Sequence, residues 1–168
     1  QLIGRSHECD YPESVKGLPV CSSAKFLPGS DSAEIDRQVK EILSDSLSIY
    51  TIDKELIKSL APDVIITQAQ CEVCAVSLKD VEMAIGDLLA KDCKIISLEP
   101  HQLSDIYRDI RNLADQLSAG NAGADLLESS EDRIDIIRHK LKFITEKPKV
   151  ACIEWLSPLM IAGNWTPE

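Results

Sequence analysis

No apolar run in the sequence approaches the roughly 18 consecutive residues that a membrane-crossing helix requires. Basic charge is scarce too. Lysine and arginine number 18 against 28 acids, giving a formal net charge of −10. No window is basic enough to neutralise a phosphate backbone, which argues against nucleic acid as a partner. Aromatic residues make up only 4% of the chain, so each Trp and Tyr carries weight. Catalytic signatures are missing: there is no glycine-rich phosphate loop after an apolar run, no Gly-x-Ser-x-Gly elbow and no His-Glu-x-x-His pair. Nothing assembles into a catalytic set, and the chain is read as a non-enzyme. Internal repeats and low-complexity tracts are also absent. No signal peptide is visible, because Arg5 and His7 follow Gln1 almost at once. A first residue that is not methionine gives the expectation of a piece cut from something longer.

What is present is an ordinary globular composition, 44% apolar and 27% charged, in a chain long enough to bury a core. Short apolar runs alternate with amphipathic segments. Candidate strands are Leu2–Gly4, Leu18–Cys21, Leu47–Tyr50, Val64–Thr67, Lys94–Leu98 and Lys149–Trp155, several of them apolar on successive residues, as in strands covered on both faces. Helical stripes lie between them. Ile35, Val39 and Ile42 follow Ser32 as a candidate N-cap. Leu78, Val81, Ile85, Leu88 and Leu89 follow Ser77, with Asp80 placed as in a capping box. Leu103, Ile106, Ile110, Leu113 and Leu117 make a third stripe, punctuated by Gly120 and Gly123. A longer one carries Leu127, Ile134, Ile137, Leu141 and Ile144 over residues 124–146 and is closed by Pro148. This alternation predicts an α/β fold, a Rossmann-like and mostly parallel sheet with flanking helices, plus a long connecting helix. One strand after that helix reads as the opening of a second lobe.

In open parallel sheets, ligands bind beyond the carboxyl ends of the strands. Three post-strand segments are therefore informative. "RSHECDYP" gathers His7, Glu8, Cys9, Asp10 and Tyr11 in one loop. It reads either as a ligand-contacting loop or as a polar turn; His7 and Cys9 have ligand chemistry but no finger-like spacing. "TQAQCEVCAVS" carries Cys71 and Cys74 at Cys-x-x-Cys spacing. Three readings are open: a redox pair at a helix N-terminus, half of a metal site completed by His7 and Cys9 if the two loops meet, or a pocket wall. "EWLSPLMIAGNWTPE" holds Trp155 and Trp165, the only tryptophans, around Pro158 and Gly163. They suit a flat or apolar ligand, or they pack on another lobe. Cys21, Cys93 and Cys152 are expected to be buried and inert, as small hydrophobes. His101 and His139 read as surface or packing residues, and Glu128, Glu131, Asp132 and Asp135 as a solvated helix face.

"LIGRSHECDYP", "LAPDVIITQAQCEVCAVS" and "KVACIEWLSPLMIAGNWTPE", in that order, resemble the substrate-binding proteins of ABC importers for iron chelates and cobalamin, closest to a subfamily labelled cobalamin-binding-protein-like. The resemblance covers nearly the whole chain. It implies a Rossmann-like first lobe over 1–120, a stiff interlobe helix over 121–147 and the start of a second lobe over 148–168. It also implies that a further strand and helix precede Leu2 and that a whole lobe follows Glu168; the uncovered sheet edge makes a homodimer an expectation. A corrinoid or metal chelate would lie between the lobes as cargo, with no cofactor required, and ABC importer membrane subunits would be the partners. Carried over by position, the ligand-facing residues are His7, Glu8, Cys9, Tyr11, Gln68, Gln70, Cys71, Cys74, Trp155, Asn164 and Trp165. Many family members lack the two cysteines, so family ligand chemistry does not extend to Cys71 and Cys74. The resemblance implies a periplasmic or cell-surface location and leaves a cytoplasmic one open. The alternative is a cytoplasmic metal- or corrinoid-handling protein, or an enzyme on the same scaffold, using His7, Cys9, Cys71 and Cys74.

Overall fold

The computed structural model describes residues 1–27, 29, 31–45, 48–69, 81–82, 86 and 93–163. The chain is a mixed α/β fold that divides into two compact units. The first unit comprises Gln1–Glu99 with Ile153–Met160, and the second comprises Pro100–Cys152 with Ile161–Glu168.

In the first unit, β1 (Ser22–Ala24) and β2 (Tyr50–Ile52) pair antiparallel, and β3 (Val64–Gln68) and β4 (Lys94–Leu98) pair parallel from Val64↔Lys94 to Gln68↔Leu98. The parallel pair forms where Val64, Ile65, Ile66 and Ile95, Ile96 are apolar on successive residues, but Ile66 is exposed, so the cover expected on both faces is not met there. The antiparallel pair does not form where expected. The expected strand Leu18–Cys21 gives only a bridge, Val20 to Arg5, and the ladder starts at Ser22. Pro19 has no N–H to give a ladder, so its carbonyl takes the N–H of Arg5 at 3.0 Å while Cys21 N–H reaches the Arg5 carbonyl at 2.8 Å. These two bonds replace the expected strand Leu2–Gly4 with a single crossing point. A Cβ on Gly4 would lie 2.9 Å from Cys21 Sγ and 3.1 Å from Leu60 Cδ1, so a larger residue here would have to push those side chains aside.

Helix α1 spans Ser32–Asp45. Its cap is Asp31, one residue before the expected Ser32: the Asp31 carboxylate accepts the Glu34 N–H at 2.9 Å. Helix α2 (Lys54–Leu60) was not foreseen from the sequence, although Asp53 caps it, its carboxylate accepting from Leu56 N–H at 2.9 Å, and Ala61 ends it in a left-handed turn (φ 46°). Ile57 of α2 and Val81 form the centre of the apolar core, with Cys21, Ile52, Ile65 and Ile95 packed around them. Of the helix expected after Ser77, Val81, Glu82 and Gly86 are helical and the remainder lies outside the described residues.

The second unit is built on α3 (Leu103–Gln116) and α4 (Gly120–Leu141). Gln102 and Asp105 form a reciprocal capping box at the start of α3. Asp105 is only 7% exposed; its carboxylate accepts the backbone N–H groups of His101 (3.0 Å) and Gln102 (3.1 Å) and pairs with Arg108 at 2.8 Å. Those two N–H bonds, first that of His101, together with Arg108 hold its carboxyl below the usual carboxylate range. Gly120, expected as a break, is the first residue of α4, after the interruption that follows Gln116, whereas Gly123 lies inside the helix. Gly123 is there for contact: a Cβ on it would overlap the Ala114 methyl of α3. The helix begins four residues before the expected 124–146 and ends five sooner, at Leu141.

Further on, only Ile153–Trp155 (β5) of the expected Lys149–Trp155 is extended, in a hairpin with β6 (Met160–Ile161). Among the described residues no helix is long and apolar enough to cross a membrane.

Candidate functional site

The loop after the Arg5 crossing is held from below by one guanidinium. Arg5 Nη1 donates to the carbonyls of Ser6 (3.1 Å) and Cys9 (3.0 Å), and Nη2 to that of Lys16 at 3.4 Å. A rigid planar donor fork suits such a task, because several carbonyls are fixed by one group. Within the loop, Ser6 closes a tight turn, its hydroxyl accepting from Glu8 N–H at 3.1 Å and its carbonyl from Cys9 N–H at 3.2 Å.

His7 sits at the apex of this turn and is tied to β1. Its backbone N–H donates to Ser22 Oγ at 3.2 Å, and its ring Nδ1 lies 2.8 Å from the same oxygen. Among the described residues, Nε2 has no protein partner. The imidazole packs on the Tyr50 ring with centroids 5.2 Å apart and planes inclined at 53°, within the range for tilted aromatic pairs. Phe26 lies on the same tyrosine at 6.5 Å.

Pairing register explains why Ser22 and Tyr50 meet one loop. Ser22 stands opposite Ile52, and Tyr50 is two residues from Ile52, so the period of two puts both on the same sheet face. Tyr50 is 7% exposed and its hydroxyl donates to Glu8 at 3.4 Å. Burial, followed by the neighbouring Glu8 carboxylate, pushes the Tyr50 phenol up to about 12. His7, Glu8, Ser22 and Tyr50 thus form one connected polar cluster on an aromatic floor.

The other expected residues are placed as follows. Cys9 is exposed and Tyr11 is 88% exposed, both beside the cluster in sequence and open to solvent. Gln68 is exposed at the carboxyl end of β3, and Ala69 N–H continues the ladder to the Leu98 carbonyl at 2.9 Å. No hydrogen bond joins Gln68 to the His7 loop among the described residues. Trp155 is half-buried, and its indole N–H is shared between the carbonyls of Ser32 (3.0 Å) and Ser157 (2.9 Å). That pins the ring near the start of α1. Gln70, Cys71, Cys74, Asn164 and Trp165 lie outside the described residues.

Arg5, Ser22 and Tyr50 were not singled out from the sequence. Tyr50 could have been, as one of three tyrosines. Ser22 becomes visible only through the register of a three-residue strand.

Among the described residues no group of three or more His, Cys, Asp and Glu side chains is gathered to hold a metal ion. Cys9, Cys21, Cys93 and Cys152 carry no disulfide. Cys21 and Cys93, expected to be buried, are only half-buried; what burial they have pushes their thiols up, which favours the protonated form. Cys152, expected to be buried, is instead exposed, because residues 149–152 are not in a covered strand. A concavity of about 280 Å³ lies in the second unit between α3 and α4, lined by Leu103, Tyr107, Glu131, Ile134, Asp135 and Arg138. Among the described residues, the buried Tyr107 hydroxyl has no hydrogen-bond partner.

No family model and no curated protein matches the sequence. The fold is similar to that of a solved structure described as the periplasmic heme-binding protein BhuT in complex with two hemes, with a TM-score of 0.60 and 19% identity. The match covers 91% of this chain and 47% of that one, so the chain spans about half the length of its structural neighbour.

Proposed function

We propose that this chain belongs to the solute-binding component of an ABC importer and contributes one wall of a site for a planar metal chelate, of the corrinoid, heme or ferric-chelate class. The reading is non-catalytic: the cargo is bound, carried and handed to the importer's membrane subunits. The observation that carries it is the His7 cluster. It offers an imidazole whose Nε2 has no protein partner among the described residues, an aromatic floor and an adjacent carboxylate, on a loop fixed by Arg5, in a chain whose fold is similar to that of a heme-binding protein over 91% of its length. A planar chelate offers what such a cluster would meet: a metal or polar substituent for Nε2 and an apolar face for the rings. Tyr11 and Cys9, exposed on the same loop, are proposed as further contacts, with Gln68, Gln70, Cys71, Cys74, Trp155, Asn164 and Trp165 as the remaining candidates by position. A periplasmic or cell-surface location follows from the same reading.

The test is titration of the protein with hemin and with hydroxocobalamin, followed by absorbance and by thermal unfolding. Saturable spectral change with a raised melting temperature supports the proposal. Absence of both effects with both chelates refutes it.

A further inference from the structure

The double use of one hydroxyl at His7 calls for an explanation. Ser22 Oγ receives the His7 backbone N–H at 3.2 Å and lies 2.8 Å from the ring Nδ1 of the same residue. Satisfying the turn requires only the first contact. The second closes a small ring through the imidazole and removes its rotational freedom, while Nε2 is left without a protein partner among the described residues.

We infer that Ser22 is the positioning residue of this site, presenting His7 Nε2 to the ligand from a fixed strand. This inference rests on the binding reading above. The strand is held on both sides of Ser22. It pairs with Ile52, the preceding Cys21 N–H reaches the Arg5 carbonyl at 2.8 Å, and Asp53 N–H reaches the Cys21 carbonyl at 2.9 Å. Tyr50 closes the other side of the ring.

The choice of a hydroxyl has chemical content. A serine oxygen has two lone pairs and one proton. With one lone pair taken by the His7 N–H, Oγ can still give its own proton to Nδ1, and in that arrangement the neutral imidazole carries its hydrogen on Nε2. In that form Nε2 donates to an acceptor such as a ligand carboxylate. Were a metal to take Nε2, the ring proton would sit on Nδ1, the hydroxyl would turn its own proton away, and its second lone pair would accept the Nδ1–H. The ring remains neutral and no net proton is released. A carboxylate at position 22 could only accept and a backbone N–H could only donate; a hydroxyl holds the ring in either tautomer. Outer-sphere partners of this kind fix ligand orientation, and their loss typically weakens metal binding about 10- to 100-fold.

The experiment compares the wild type with Ser22→Ala and Ser22→Thr. Long-range proton–nitrogen NMR reports the imidazole tautomer at a pH where histidine is neutral, with His7→Gln assigning the signals among the three histidines. Wild type and Ser22→Thr are expected to show His7 as the Nε2–H tautomer, and Ser22→Ala a mixture, with far-UV circular dichroism unchanged. In parallel, Ser22→Ala should bind hemin or hydroxocobalamin about 10-fold more weakly and with an altered spectrum, and Ser22→Thr should restore both. An unchanged tautomer in Ser22→Ala overturns the inference, as does unchanged affinity and spectrum where the wild type binds. If the wild type binds neither chelate, the binding reading fails, and the tautomer spectra alone decide whether Ser22 positions His7.

Discussion

Replacing Gly123 by alanine sets two effects of opposite sign against each other. In a solvent-exposed helix interior the change is stabilising by about 0.8–1.0 kcal/mol, from intrinsic helix propensity. Gly123 is not in such a place. A methyl built on it would overlap the Ala114 methyl of α3 and would also lie 3.8 Å from the Ala114 Cα and the Ile110 carbonyl oxygen. Ala114 is 8% exposed and its methyl cannot rotate away, so the helices must part or shift. Overpacking of this kind costs about 1–3 kcal/mol. Subtracting the propensity gain leaves a net destabilisation on the order of 1 kcal/mol in the wild-type background. The partner variant reverses the sign. In Ala114→Gly the obstructing methyl is gone, and adding alanine at 123 then recovers the propensity term of about 1 kcal/mol. Urea unfolding followed by far-UV circular dichroism, run as a double-mutant cycle, measures both steps. Stabilisation by Gly123→Ala in both backgrounds would refute the close packing of α3 on α4.

Two further predictions concern ionisation. Asp105→Ala removes the acceptor of the His101 and Gln102 N–H groups and the partner of Arg108. Because the folded carboxyl is held below its ordinary value, its contribution is complete above the unfolded pKa of about 3.9 and is lost as pH falls through the folded one. The wild type should therefore melt above the variant at neutral pH, with the gap closing in strong acid; a gap constant with pH contradicts this. For Tyr50, Glu8→Gln removes the negative charge and leaves the burial, so the phenol should ionise below about 12 yet above the ordinary tyrosine value of about 10. Ultraviolet titration of the phenolate checks it, and no change on removing Glu8 would exclude the charge from the cluster. The raised phenol also makes the folded state lose stability as pH rises from the ordinary value through about 12.

The parts of this fold that were legible in the sequence are those whose signal is local. Lys94–Leu98 is a strand with the expected bounds, and Val64–Thr67 gains only Gln68, because β-branched runs favour strands, although Ile66 is exposed and the cover expected on both faces is not met there. The stripe from Leu103 likewise becomes α3. Misplaced elements are those fixed by contacts distant in sequence. Pro19 hands its carbonyl to Arg5 and displaces the ladder to Ser22, which no hydrophobic period encodes. Gly123 reads as a helix breaker until Ala114 is found against it. The site divides in the same way. His7 and Glu8 stood out by residue type and by their place after an apolar run. Ser22 and Tyr50 reach them across 15 and 42 residues, through a register set only in the folded chain.

Binding of a planar metal chelate by the His7 cluster, as proposed above, can be put to a direct test. The most direct measurement is a titration of the protein with hemin and hydroxocobalamin, each compared with the His7→Ala variant. If the cluster binds the chelate, the wild type shows saturable spectral change with a raised melting temperature, and the variant loses or alters that signature. Identical spectra and affinities in the two proteins, or no binding of either chelate to the wild type, would contradict it.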